Sequence, residues 1–179
     1  MKNQSEQLTE LLLTFGDTPL IGIEIGTGDA SVSKSILLNI PNVQMIYTID
    51  PYEKAYDPTS EFEANLPIEE HQKRKANAQK SLDHYPGRYV LILEKSDDAV
   101  ILTPDNVDFV YIDGDHNHSQ IYRDIINYYP KVRIGGIFGG HDYNHVIPIF
   151  REMIEGTIYL GDDWTWWVRK DERCLKRQD

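Results

Sequence analysis

The chain reads as one α/β domain on a Rossmann-like, doubly wound sheet, and three features predict it. Short apolar runs alternate with amphipathic segments along the whole chain, the pattern of parallel strands joined by crossover helices. Unusual residues gather where those runs stop, as they do when a sheet presents its carboxyl ends to a ligand. The last two runs are separated only by Gly161-Asp162-Asp163. So short a connection cannot make a parallel crossover, so the mostly parallel sheet ends in an antiparallel hairpin. At 179 residues the chain has the length of a single domain with a full hydrophobic core.

The elements follow in order. A helix over residues 5–15 puts Leu8, Leu11, Leu12 and Phe15 on one face and stops near Gly16 and Pro19, so residues 1–19 form an N-terminal helical segment. Residues 20–25 form a buried strand, Gly26-Thr27-Gly28 a turn, and residues 29–39 a helix. A second strand over residues 44–49 ends at Asp50-Pro51. Residues 52–66 are the least patterned stretch and are assigned to a loop on the substrate side. Pro67 suits the first helical position of a charged helix reaching residue 84, because its ring fixes φ and no N–H is needed there. Strands follow at residues 89–93 and 107–112, the latter ending in Asp113-Gly114-Asp115-His116. A helix over residues 119–129 carries Ile121, Tyr122, Ile125 and Tyr129 at core spacing. The glycine-rich residues 135–140 form a short fifth strand ending at His141-Asp142-Tyr143. A helix over residues 147–155 tolerates Pro148 in its first turn only. Residues 157–160 and 164–169 make the hairpin, and residues 170–179 are a tail. The count is seven strands with helices on both faces.

Composition narrows the partners. With 29 acidic against 18 basic residues and a formal net charge of −11, the chain is poorly suited to phosphate backbones, which are bound by neutralising them with Lys and Arg. Nucleic acid is therefore not expected, and Lys73-Arg74-Lys75 reads as the solvated face of a helix. A small cationic or neutral ligand fits this field better. No apolar run approaches the ~20 residues of a membrane span, and the start of the chain lacks the apolar block of a signal peptide. The single cysteine, Cys174, cannot form an intramolecular disulfide, so a cytoplasmic location is expected.

The chemistry sits at the strand ends. In Glu24-Ile25-Gly26-Thr27-Gly28-Asp29-Ala30-Ser31 the glycines allow a tight turn and close approach of backbone to ligand, and the helix behind offers unpaired N–H groups. Asp50, about two dozen residues on, is placed to accept both ribose hydroxyls of an adenosine. NAD and S-adenosylmethionine both fit that much. Ser31 departs from the last position of the dinucleotide fingerprint, and 179 residues leave little room for a dehydrogenase's second region. Glu24 suits a cation, such as a sulfonium with its α-amino group, better than a pyrophosphate.

On these residues the chain resembles class I S-adenosylmethionine-dependent methyltransferases. Glu24-Ile25-Gly26-Thr27-Gly28 looks like their first motif, and Asp50 matches their ribose-binding acid. The run from Val107 through His116 resembles the fourth-strand motif. Gly135-Gly136-Ile137-Phe138-Gly139-Gly140-His141-Asp142-Tyr143 and Trp164-Thr165-Trp166-Trp167-Val168 resemble a bacterial subgroup similar to the O-methyltransferases of macrolide sugars and other natural products. The resemblance covers residues 20–169. It implies that Glu24, Gly26, Thr27, Gly28, Asp50 and Asp113 contact the cofactor and that Ser96 and Asp97 reach its adenine, although both also suit a helix cap.

In the metal-dependent relatives the positions of Asp113, His141 and Asp142 bind a divalent ion, and that of His116 can serve as base, so the resemblance makes His116 and Asp113 the catalytic candidates. His141 stands where many relatives carry a carboxylate. An imidazole shifts the site from magnesium toward manganese or a later metal, or leaves it empty. His118 and His145 read as exposed loop or helix-start residues, and the three tryptophans as packing. The implied reaction is O-methylation of a hydroxylated small molecule or sugar. A metal-dependent hydrolase built on the same Asp/His cluster would leave the glycine loop and Asp50 without a role, and a non-catalytic S-adenosylmethionine-binding protein stays open. Short members of this fold often need a partner's surface to close the acceptor site, so a homo-oligomer is among the expectations.

Overall fold

The computed structural model describes residues 1–52 and 66–171. Residues 53–65, most of the loop assigned to the substrate side, lie outside the described residues, as do residues 172–179 with Cys174. Seven strands form one sheet, β1 (Leu20–Ile25), β2 (Val43–Ile49), β3 (Tyr89–Ile92), β4 (Val107–Ile112), β5 (Val132–Gly140), β6 (Tyr159–Leu160) and β7 (Trp166–Arg169), in the order β3-β2-β1-β4-β5-β7-β6. The first five run parallel, whereas β7 lies antiparallel to both β5 and β6. The expected mostly parallel sheet with its closing hairpin is thus observed. Strand order reverses between β1 and β4, and such a switch point opens a crevice at the carboxyl ends.

Side-chain alternation builds the two layers. Along β4, Phe109 and Tyr111 point into one cluster with Leu8, Leu12, Ile36, Leu37 and Leu82, whereas Val110 and Ile112 point into the other with Ile121, Ile125, Phe150 and Trp166. Helices α1 (Gln4–Leu13), α2 (Ser31–Asn39) and α3 (Ile68–Leu82) supply the first layer. The short α4 (Ser96–Ala99) with α5 (His118–Tyr128) and α6 (Tyr143–Met153) supplies the second. Of the described residues, no helix is long and apolar enough to cross a membrane.

Three local expectations are corrected. Pro67 is the N-cap of α3 rather than its first helical residue, with ψ at 147°; it ends an extended segment, and Ile68 begins the helix. β5 starts at Val132, ahead of the glycine-rich run, because Arg133 is tied down at 2.7 Å by the carboxylate of Asp108, which also accepts the Ile21 N–H. Finally, α6 begins at Tyr143, which places Pro148 in its second turn. A proline there costs about 3 kcal/mol, and burial of Val146, Ile149, Phe150 and Met153 on one face offsets it.

Candidate active site

At the crevice between β1 and β4 lies a cavity of about 340 Å³, floored by the glycine loop and walled by the ends of β2 and β4, with His71 and Arg74 of α3 and residues of α4 and α5 completing the rim. The loop is shaped by its two glycines in different ways. Gly26 has φ +88°, and a Cβ there would lie 2.0 Å from the carbonyl oxygen of Asp113. Gly28 has φ +51°, and a Cβ there would meet nothing within 4 Å. The first glycine lets β1 and β4 close on each other; the second borders the open volume that a ligand needs.

Glu24, 1% exposed, lines this cavity from the end of β1. Its carboxylate accepts hydrogen bonds from the hydroxyls of Ser33 and Thr48, and Thr48 in turn contacts the hydroxyl of Thr27. Burial pushes the Glu24 carboxyl up to about 7, against the downward pull of those two hydroxyls. Asp50 accepts the Gly28 N–H at 3.0 Å with one oxygen and the Tyr52 N–H at 2.9 Å with the other. Each oxygen keeps a further lone pair for a ligand hydroxyl. Burial raises this carboxyl too, with the two backbone donors opposing. Tyr52, buried at φ +50°, locks the assembly by donating its hydroxyl to the Gly28 carbonyl at 2.8 Å.

The two residues expected near an adenine part company. Ser96 lines the cavity and donates to Asp124 at 2.6 Å. Asp97 is not among the lining residues; its carboxylate pairs with Arg123 at 2.9 Å and accepts from Asn127 at 3.4 Å. The cap of α4 is Lys95, with no side-chain cap bond, so neither residue serves the capping role.

On the other side, Asp113 ends β4, and His141 and Asp142 follow β5. Ligand atoms of these three lie within 4.8 Å of one another. His141 Nδ1 stands 3.0 Å from Asp142 and 3.7 Å from Asp113, while His116 Nε2 is 3.1 Å from the same Asp142 carboxylate. Two carboxylates and an imidazole make a donor set of a kind that suits manganese or a later divalent ion. Burial raises the Asp113 carboxyl, with His141 and a hydrogen bond from Gln4 holding it down. Trp166 is packed against Phe138 and Phe150, as expected, and also fixes the site by donating its indole N–H to the His141 carbonyl at 3.0 Å. His118 is exposed at the start of α5, and the exposed His145 of α6 stacks on the His116 ring at 5.7 Å. Trp164 is half-exposed and stacks on Tyr143. Asp115 reaches the cavity wall but spends one oxygen on the Asn117 N–H.

Tyr52, Asp124 and Gln4 escaped the sequence reading. Gln4 arrives because α1 docks through Gln7 on Thr165 and through the Gln4 N–H on Asp163, a contact that no local pattern announces. Asp124 did carry a signal, since it is an acid on the apolar stripe of α5 beside Ile121, Ile125 and Tyr128.

Comparison with known proteins bears on this geometry directly. A family model described as a methyltransferase domain matches residues 23–143, from β1 to the start of α6. No curated protein matches the chain. Many solved structures share the fold. The O-methyltransferase NovP is 14% identical over 94% of this chain and 80% of its own, with a TM-score of 0.68. The SAH-bound methyltransferase PaMTH1 of Podospora anserina is 12% identical over 96% of this chain and 80% of its own, also at 0.68. An rRNA methylase of Streptococcus thermophilus is 11% identical over 96% of this chain and 99% of its own, at 0.65. At these identities the structures speak for the fold. The family match covers more than half of the sequence and both walls of the cavity, and the chain belongs to the methyltransferase-domain family, on the class I S-adenosylmethionine-dependent fold.

Proposed function

We propose that this chain transfers a methyl group from S-adenosylmethionine to a hydroxyl of a small molecule, a sugar or a phenol, with help from a divalent cation. The observation that carries the reading is the arrangement of one cavity between two unlike sets of carboxylates. Glu24 and Asp50 stand at the ends of β1 and β2, and Asp113 of the Asp113–His141–Asp142 group stands at the end of β4. Asp113, His141 and Asp142 would hold a divalent cation, which when bound would lower the pKa of an acceptor hydroxyl, and S-adenosylmethionine would supply the activated methyl.

The remaining work falls to the chain itself. Asp50 would accept the ribose hydroxyls with its spare lone pairs, and the cofactor's cationic end would favour the ionised form of Glu24, whose buried carboxyl is raised to about 7. Gly28 keeps the loop clear of side chain. His116, whose Nε2 lies 3.1 Å from the Asp142 carboxylate, would take the acceptor proton. Because methyl transfer is an in-line displacement, the main contribution is alignment of the two reactants. The net charge of −11 favours a small molecule over nucleic acid. Incubation with methyl-labelled S-adenosylmethionine, manganese and a panel of hydroxylated sugars and phenols should give a methyl ether. Label found only on nitrogen acceptors or on RNA would overturn the proposed acceptor class.

A further inference from the structure

Packing accounts for two of the three tryptophans at the closing hairpin. Trp166 is 0% exposed against Phe138 and Phe150, and Trp167 lies on Tyr159 at 5.8 Å. Trp164 is different, since it is 50% exposed. Leaving so large a ring half in water forgoes burial that would stabilise the fold. Its backbone is unfavourable as well, because Asp163 and Trp164 are both left-handed, at φ +51° and +58°, a conformation that bulky residues rarely adopt. Clamps on both sides hold the turn in that shape. From α1, the Gln4 N–H donates to the Asp163 carboxylate at 3.1 Å and the Gln7 amide to the Asp162 carbonyl at 2.5 Å. From α6, the Tyr143 N–H donates to the Trp164 carbonyl at 3.0 Å, and the Tyr143 ring stacks on the indole at 5.5 Å with 25° between the planes. One stack covers one face, which leaves the opposite face to carry the exposure.

The topology says what that face meets. β7 runs antiparallel to β5, with Trp166 opposite Gly140, so the turn ahead of β7 emerges at the carboxyl end of the sheet, beside His141 and Asp142. Across that end the order is Asp50 after β2, the glycine loop after β1, Asp113 after β4, His141 and Asp142 after β5, and then Trp164 ahead of β7. An acceptor whose hydroxyl lies at the Asp113–His141–Asp142 group has the cofactor cavity on one side. The rest of that acceptor extends the other way, toward the indole. We propose that Trp164 is a platform on which a ring of the acceptor lies flat, and so a residue that determines acceptor specificity. This rests on the hydroxyl-acceptor reading given above. An indole face is electron-rich, so it attracts the C–H face of a sugar ring or the offset face of a phenol, and an open-chain polyol presents no such surface.

The test is steady-state methyl transfer to three probes: methyl α-D-mannopyranoside, catechol and the open-chain glycerol. The native chain should prefer one of the rings to glycerol by at least about tenfold in kcat/KM. Trp164→Ala should raise the KM of that ring at least about tenfold and leave kcat within about threefold, the mark of binding lost equally from ground and transition states. The calorimetric Kd of S-adenosylhomocysteine should stay within about twofold. Trp164→Phe, which keeps an aromatic face, should bring KM back to within about threefold of the native value. Whichever ring responds tells a sugar acceptor from a phenol. Glycerol methylated as readily as both rings would overturn the proposal, and so would an unchanged ring KM in Trp164→Ala. A Trp164→Ala chain that loses Tm and S-adenosylhomocysteine affinity together would also overturn it, as the result of a merely structural role. A native chain that binds S-adenosylhomocysteine and methylates none of the three would instead refute the hydroxyl-acceptor reading.

Discussion

At the β1–β2 end of the cavity the carboxylates are tied to the protein: Glu24 to two hydroxyls, and each oxygen of Asp50 to a backbone N–H. Beside the cavity, after the ends of β4 and β5, Asp113 and Asp142 instead face a histidine that stands within 3.7 Å of both, and of these three Asp113 lines the cavity. The first end is a mould, whose polar groups are positioned before any ligand arrives. The second is a concentration of negative charge with an imidazole in its midst, an arrangement that gains most from a cation. Shape is thus built into one half of the site and charge into the other, and disturbing them should have separable consequences.

The largest effect is expected in the charged half. Treatment with a chelator should abolish methyl transfer while S-adenosylhomocysteine still binds, and manganese should restore turnover at least as well as magnesium, because His141 supplies nitrogen. Full turnover after chelation would assign the chemistry to His116 alone. In either case His116→Ala should slow transfer by about 10²–10⁴, the range for a lost general base.

In the moulded half the two glycines should part. Gly26→Ala forces a Cβ to within 2.0 Å of the Asp113 carbonyl oxygen at a φ of +88°. Overpacking and left-handed strain together should cost about 2–5 kcal/mol of stability, visible as a lowered Tm. Gly28→Val has open space around its Cβ, so the protein should fold with about 1–2 kcal/mol of strain yet lose cofactor binding. Normal binding by that variant would reduce the loop to a turn.

Asp50→Ala should weaken S-adenosylhomocysteine by about 1.5–3 kcal/mol in calorimetry, the worth of hydrogen bonds to a charged group. An unchanged Kd would mean that both oxygens serve only the loop.

A pH dependence is also expected. Burial raises Glu24 from 4.5 to about 7, so the folded chain keeps a proton that the unfolded chain has released. Its contribution to stability is full below about 4.5 and is lost as pH rises through about 7. Comparing Tm at pH 5 and pH 8, Glu24→Gln should lose less stability across the interval than the native chain. An identical drop in both would show that Glu24 is not the titrating group.

Much of the fold was legible because its signals are local. β1 and β4 begin and end where the sequence places them, since both are buried apolar runs stopped by Gly or Asp. The early start of α6 was hidden by Pro148, whose local rule is overridden by four buried side chains. Glu24, Gly28, Asp50 and Asp113 could be found because each sits at a strand end, where the fold puts chemistry. Ser96 and Asp97 could not be told apart, because which one faces the cavity depends on Arg123 and Asp124, more than twenty residues away. Tyr52 was equally hidden, since its role depends on a left-handed backbone that tyrosine rarely adopts.

The reading of this cavity as a site for S-adenosylmethionine is tested most directly by ligand choice in the native protein. Calorimetry with S-adenosylhomocysteine and, separately, NADH should show saturable one-to-one binding of the first and none of the second. Binding of NADH without S-adenosylhomocysteine would contradict the account, because the glycine loop, Glu24 and Asp50 would then serve a dinucleotide.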